Sequence, residues 1–263
     1  MNAPAAARAG APTLIGSVQR ALRLLEAVGS HRNGASAKQL AREAGLPLAT
    51  TYHLLRTLAH EGYLHRENGV FRLGASVPLL ARDEALQNRR SKIVETLRSL
   101  CDRLGAPVYF AVYRDGEIEL VSVADSPQTP AVEEWVDFRT TGHAHAIGQC
   151  LLSQLDAAAR RDHLDRHPVF ALTAHSVRSE GALLTRLAAL DRTARDPLRP
   201  VIERQEYVLG TVCAALPMTV GATPAAMAIS VPHDKEERLL PTVERLRREI
   251  STLLTSGTFS ISM

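Results

Sequence analysis

Residues 45–64 read GLPLATTYHLLRTLAHEGYL, and the reading of the N-terminal part of the chain turns on residues 48–60. At about 100° per residue on a helical wheel, Leu48, Thr51, Leu54, Leu55 and Leu58 gather on one side. Thr50, His53, Thr57 and His60 gather on the other, with Ala49 and Arg56 extending that second face. The first side has the character of a core stripe, and the second is small and hydrogen-bonding. Its only full positive charge is Arg56. By itself the stretch fits a helix that enters a DNA groove, and equally an amphipathic helix with a solvated polar face.

The flanks narrow the choice. Upstream, SAKQLAREAG places Ser36 three residues before Gln39, a capping-box pattern, with Ala37, Leu40, Ala41 and Ala44 as the apolar stripe and Gly45 as the stop. Before that, SVQRALRLLEAVGSH sets Val18, Ala21, Leu22, Leu25 and Val28 at helical spacing. Pro47 suits the first turn of the third helix. Downstream, YLHRENGVFRLG holds two strand-like runs around Asn68-Gly69, a pair able to take positive φ at both positions of a two-residue hairpin. Three helices and a hairpin over residues 17–74 predict a winged helix-turn-helix. Residues 1–16 lack a continuous apolar run and read as a disordered tail rather than a signal peptide.

DNA reading needs groups near the N-terminal end of the third helix that reach base edges. Thr50, Thr51, His53 and Arg56 are the candidates, Arg being able to hold guanine bidentately or a phosphate. Across 17–74 eight positive residues (Arg20, Arg23, Arg32, Lys38, Arg42, Arg56, Arg66, Arg72) stand against four negative ones (Glu26, Glu43, Glu61, Glu67). That leaves +4 here against +3 for the whole chain. Lys38, with Arg66 and Arg72 beside the hairpin tip, joins the DNA-contacting set, the two arginines as phosphate ligands.

Residues 75–104 read as a linker helix with Pro78 in its first turn and a break near 87–90. From 107 the pattern becomes β-rich, PVYFAVYRDGEIELVSVAD turning at Asp115-Gly116. Helical runs follow at 144–155, in DAAARRDHLD and in EGALLTRLAALDRTA (residues 180–194), then strands in YVLGTVCAALPM and AAMAISV. The last helix contains Pro241, so a kink or a late start is expected. Residues 105–263 thus form an α+β domain.

Hydrophobic residues make up 45% of the 263, enough for real cores. Cys101, Cys150 and Cys213 are odd in number and far apart, which argues against a disulfide framework or a structural zinc site. No apolar run approaches the roughly 20 residues of a membrane helix. A cytoplasmic protein without membrane association is expected.

At this point the chain resembles the IclR family of transcriptional regulators, from about Ser17 to Leu254. The resemblance is carried by SVQRALRLLEAV, SAKQLAREAGLPLATTYHLLRTLAHEGYL and FRLG, then by HAHAIGQCLL, ERQEYVLGTVCAALP and AAMAISVP. It implies a winged-helix DNA-binding domain, a linker helix and a GAF-like effector-binding domain. It also implies a homodimer or homotetramer on operator DNA and a small organic acid as effector. The sequence departs from the family pattern in three places. Leu48, Ala49, Thr50 and His53 stand where Lys-Ser-Thr and an Arg are common, Gln149 replaces a common Lys, and Ala228 replaces a polar residue.

Motif by motif, the resemblance points to Ala146, Gly148, Glu203, Cys213 and Ser230 as effector-binding residues. Ala146 and Gly148 would open a helix whose N–H groups suit a carboxylate. Glu203 would accept a hydrogen bond from a ligand hydroxyl. Two histidine pairs invite a metal reading: HAH (His143, His145), with both rings on one face of a strand, and HLDRH (His163, His167), at i, i+4 of a helix. Neither shows a third ligand at useful spacing, so no metal, no cofactor and no catalytic dyad are expected. The expected function is a ligand-responsive DNA-binding regulator, not an enzyme. The alternative is a small-molecule sensor whose helix-turn-helix contacts protein.

Overall fold

The computed structural model describes residues 14–191 and 198–255. Most of the expected N-terminal tail, residues 1–13, lies outside the described residues. The chain divides into two units, Met1–Asn88 and Arg89–Met263.

The first unit runs α1 (Gly16–Ser30), β1 (Ala35–Ser36), α2 (Ala37–Glu43), α3 (Leu48–His60), β2 (Leu64–Glu67) and β3 (Val70–Leu73). Ser36 caps α2, its Oγ accepting from the Gln39 N–H at 3.3 Å. The Gln39 side chain donates to Glu43 instead of reaching back, so only half of the capping box forms. Asn68 and Gly69 both take positive φ and close the β2–β3 hairpin. The two-residue β1, too short to show a period, pairs with β3 and gives the sheet order β1-β3-β2. Leu24, Val28, Leu40, Leu55, Leu58, Leu64 and Phe71 form the core. The stripe on α1 differs from the wheel reading: Leu24 is its buried centre, while Val18 and Leu22 are exposed.

Helix α4 (Ser76–Leu104) is continuous, with Pro78 in its first turn. The expected break near 87–90 is absent. No Gly or Pro follows Pro78 in the helix, and the Asn88 amide bonds Glu84 one turn back.

The second unit adds β4 (Val108–Arg114), β5 (Glu117–Ala124), α5 (Ala146–Ser153), α6 (Ala157–Arg166), α7 (Glu180–Asp191), β6 (Val201–Arg204), β7 (Thr211–Val220), β8 (Thr223–Pro232) and α8 (Leu239–Thr255). Its five strands are all antiparallel, in the order β5-β4-β8-β7-β6. Large side chains on one face (Val108, Phe110, Val112, Leu216, Met227, Ile229) pack with Leu97 and Leu100 of α4 and Val243 and Leu246 of α8. On the other face Ala111, Ala215, Ala226 and Ala228 are small, and α5 packs there through Ala146, Ile147, Cys150 and Leu151. Small side chains under a single helix leave room beside it.

Pro241 starts α8 late: a 3₁₀ turn, His233–Arg238, with a non-helical Lys235, precedes it, and the proline falls in the first turn. Two further points correct the sequence reading. Tyr207–Gly210 are bends and turns, so β7 begins only at Thr211, and β6 was not anticipated. Four residues after a proline are too few to show alternation.

Candidate nucleic-acid interface and ligand cavity

The outward stripe of α3 is Ala49, Tyr52, His53, Arg56, Thr57 and His60, a 3–4 spacing that keeps one face in solvent. His53 and Arg56 stand where the wheel placed them. Thr50 is half-buried at the flank. Thr51 is a correction: its side chain is 0% exposed and its hydroxyl donates to the Pro47 carbonyl at 3.1 Å. The core stripe claims it, so it cannot reach a base. Leu48, assigned to the core, is exposed at the helix start. Tyr52, which the wheel reading left unassigned, is 40% exposed. It offers a flat apolar face and a hydroxyl.

Lys38 and Arg56 are exposed and make no ion pair with a described residue. On the hairpin, Arg66 lies over the Phe71 ring at 5.7 Å. Arg72 approaches Glu67 at 3.9 Å, a loose exposed contact of little energetic weight. These positive groups are therefore available to an anionic partner.

In the second unit the room beside α5 is a cavity of about 510 Å³, counting the space at its mouth. Tyr109, Leu120, Val132, Phe138, Ile147, Tyr207 and Ala228 line its walls. Polar atoms come from His145, Glu203, Cys213 and Glu134. Mostly apolar walls with a few converging polar groups are the form of a small-molecule site.

Three of the five expected effector residues, Ala146, Glu203 and Cys213, line this cavity. Gly148 does not. Its N–H is already taken by Nδ1 of His145 at 2.9 Å, and a Cβ on it would come within 2.2 Å of the Gly142 carbonyl oxygen. It is a glycine for close packing. Ser230 stands one residue back: its hydroxyl pairs with the Tyr109 hydroxyl at 3.0 Å, which also accepts from the Val132 N–H at 2.7 Å. Ser230 thus positions a cavity wall rather than forming it.

The segment before α5 is stitched across the sheet. His145 caps α5 with Nδ1 and donates from Nε2 to the Phe138 carbonyl at 3.1 Å, stacking on the Phe138 ring at 3.8 Å. The Tyr207 hydroxyl donates to the Val136 carbonyl. Burial brings the pKa of His145 down to about 3, against the hydrogen bond to Phe138. The ring is therefore neutral. His143 bonds Phe170 instead. The two rings of HAH do not converge, since residues 138–144 are turn rather than strand and His145 is the N-cap of α5.

Glu203, on β6, is 1% exposed. One carboxyl oxygen accepts from the Glu206 N–H at 2.9 Å. Burial raises its pKa to about 7, with Glu206 and Cys213 nearby hydrogen-bonding groups that lower it. At neutral pH the site therefore holds a mixture of acid and carboxylate. Burial, with Glu203 alongside, also keeps the Cys213 thiol well above its ordinary range. Cys213 is thus a protonated wall residue and not a nucleophile. Where a lysine is common in the family, buried Gln149 bonds Glu206, and Arg186 of α7 brings the positive charge, 2.7 Å from both Glu206 oxygens.

The second histidine pair behaves differently. His163 is buried in α6 and His167 caps its C-terminal end. The carboxylate of Glu117, on β5, lies 2.8 Å from Nε2 of His167. One donor atom from each of Glu117, His163 and His167 lies within 4.8 Å of the others. A third donor is thus present after all. It comes from a strand more than 40 residues upstream, which no local spacing shows.

A winged helix-turn-helix joined in one chain to an α+β unit with a ligand cavity defines a one-component DNA-binding regulator. The chain matches the IclR helix-turn-helix domain over residues 17–68 and the C-terminal domain of the bacterial transcriptional regulator IclR over residues 87–253. It belongs to the IclR family of transcriptional regulators. It is 27% identical to the transcriptional repressor IclR of Escherichia coli, over 81% of this chain and 77% of that one. It is 24% identical to the p-hydroxybenzoate hydroxylase transcriptional activator of Acinetobacter baylyi, over 81% and 80%. Among solved structures, Thermotoga maritima IclR shares the fold with a TM-score of 0.55 at 15% identity, covering 93% of this chain and 99% of that one. The Agobacterium tumefaciens repressor BlcR matches with a TM-score of 0.53 at 23% identity, covering 95% and 99%. No helix among the described residues is long and apolar enough to cross a membrane.

Proposed function

We propose that this regulator binds operator DNA as a homodimer or a dimer of dimers and is switched by a small organic acid held in the C-terminal cavity. Residues 17–74 form the DNA-binding domain and 105–263 the effector domain, with 75–104 as the linker. His53, Arg56 and Tyr52, flanked by Thr50, face the major groove. Lys38, Arg66 and Arg72 meet phosphates. Exposed Val18 and Leu22 on α1, and exposed Leu79 and Leu86 one heptad apart on α4, offer apolar surface to a second copy. Two copies then read half-sites about one helical turn apart or a multiple of it.

The cavity carries the effector reading. Ala146 and Ile147 line it as the first two residues of α5, and their N–H groups have no partner among the described residues. Such groups suit a carboxylate. Glu203, able to hold its proton near neutral pH, donates to or accepts from a second polar group of the ligand. The apolar walls fit a compact hydrocarbon or aromatic body. The p-hydroxybenzoate-related name of the Acinetobacter relative supports a hydroxy-acid among the candidates. An effector shifts DNA affinity only through unequal binding to two arrangements of the dimer.

Calorimetric titration of the full chain with a panel of small aromatic and aliphatic acids, beside gel shifts on its own upstream DNA at two salt concentrations, tests both halves. Binding of one class of acid, lost in Tyr207→Ala, together with salt-sensitive operator binding, is the expected result. Specific DNA binding without any response to acids would remove the effector assignment. Absence of specific DNA binding would favour a sensor whose helix-turn-helix contacts protein.

A further inference from the structure

We infer that Glu117, His163 and His167 form a binding site for a divalent transition metal ion of the zinc class, separate from the ligand cavity. Two imidazoles and one carboxylate are a donor set that zinc accepts, with water as the fourth ligand. The three donor atoms lie within 4.8 Å of one another. Bonds of about 2.0–2.1 Å in a tetrahedron put ligands about 3.3 Å apart, so closure requires a contraction of about 1.5 Å at most. His163, 1% exposed and packed edge-on against Tyr113, is the fixed member. Glu117 and His167 are partly open to solvent and supply both the movement and the path of entry.

The charge around the site fits a cation. Arg166 stands next to it and would repel an ion if unpaired. Its guanidinium is tied to Asp162 at 3.0 Å and to the Gly116 carbonyl at 2.7 Å, and it also bonds the Glu117 Oε1. Asp162 offsets the arginine charge, leaving Glu117 as the excess negative charge. The arginine occupies Oε1, whereas Oε2 is the oxygen facing His167 at 2.8 Å. That arrangement orients a monodentate carboxylate, as partners in the outer shell of metal sites do. Nη1 of Arg166 also lies 3.5 Å from Nε2 of His167, so loading an ion also requires that guanidinium to step back from His167. Without metal, the Glu117–His167 hydrogen bond joins the end of α6 to the β4–β5 turn. With metal, the ion replaces it by a stronger three-point link to the buried His163.

The test uses the full, tag-free chain stripped with a chelator and titrated with zinc, then with cobalt(II) as a spectroscopic probe. The wild type should take up one equivalent of zinc, show the intense visible bands of low-coordinate cobalt, and melt at a higher temperature when loaded. His167→Gln and Glu117→Gln, both partly exposed and checked for fold by circular dichroism, should each bind at least about tenfold more weakly and lose the cobalt bands. Failure of the stripped wild type to bind stoichiometrically would overturn the assignment. So would unchanged affinity in both variants, or cobalt spectra of the six-coordinate aqua type.

Discussion

The outer face of α3 and the wall of the C-terminal cavity both carry polar side chains, under opposite constraints. On α3, Tyr52, His53 and Arg56 project into solvent, and the fold leaves their polar groups to a partner. In the cavity each of these polar side chains already holds a bond within the fold: Tyr109 to Ser230 and Val132, His145 to Gly148 and Phe138, and one oxygen of Glu203 to Glu206. The first surface can change what it binds without disturbing the fold. The second is preorganised, so substitutions there alter stability and recognition together.

The largest expected effect therefore lies behind the cavity. Gly148→Ala places a methyl group against the Gly142 backbone and should lower the stability of the second unit by about 3 kcal/mol, read as a drop in the urea midpoint. An unchanged midpoint would mean that α5 can shift freely, and the preorganised side of the contrast would fail. Arg56→Ala is its counterpart on α3. It should weaken operator binding by about 1–3 kcal/mol, about fivefold or more, with the urea midpoint unmoved. Equal affinity would remove Arg56 from the interface.

A pH series sharpens the same contrast. Glu203 has a folded pKa near 7, above the ordinary 4.5, so between those values the folded state binds more protons than the unfolded one. Its contribution to stability is complete below about pH 4.5 and is lost as pH rises through 7. Glu203→Gln should flatten that part of the stability profile and raise stability at pH 8 relative to the wild type. Parallel wild-type and variant profiles would show that Glu203 ionises normally.

The smallest effect on DNA binding should come from Thr51→Val. Loss of the hydrogen bond to Pro47 should cost about 1 kcal/mol of stability, with operator affinity within about twofold of the wild type. A large loss of affinity at unchanged stability would return Thr51 to the interface.

The amino-acid sequence alone was enough for the winged helix-turn-helix, because its signals are local. These are the 3–4 spacing of Leu55 and Leu58, the Ser36 cap, and an Asn68-Gly69 turn whose backbone needs few other residues. It also placed His53 and Arg56 on the outer face, whereas Ala146, Glu203 and Cys213 came together only as what the family resemblance implied. Tertiary structure decided what depends on distant neighbours. The wheel already set Thr51 on the core side, whereas the exposure of Leu48 on that same side depends on which neighbouring elements reach the start of α3, and no wheel contains that. Gly148 and Ser230 leave the cavity wall because Gly142 and Tyr109 occupy the space in front of them. Gln149 finds its charge partner on α7, and His163 and His167 find Glu117 on β5. Side-chain periodicity is written within one element, whereas burial, charge compensation and ligand geometry arise only where elements far apart in the chain meet.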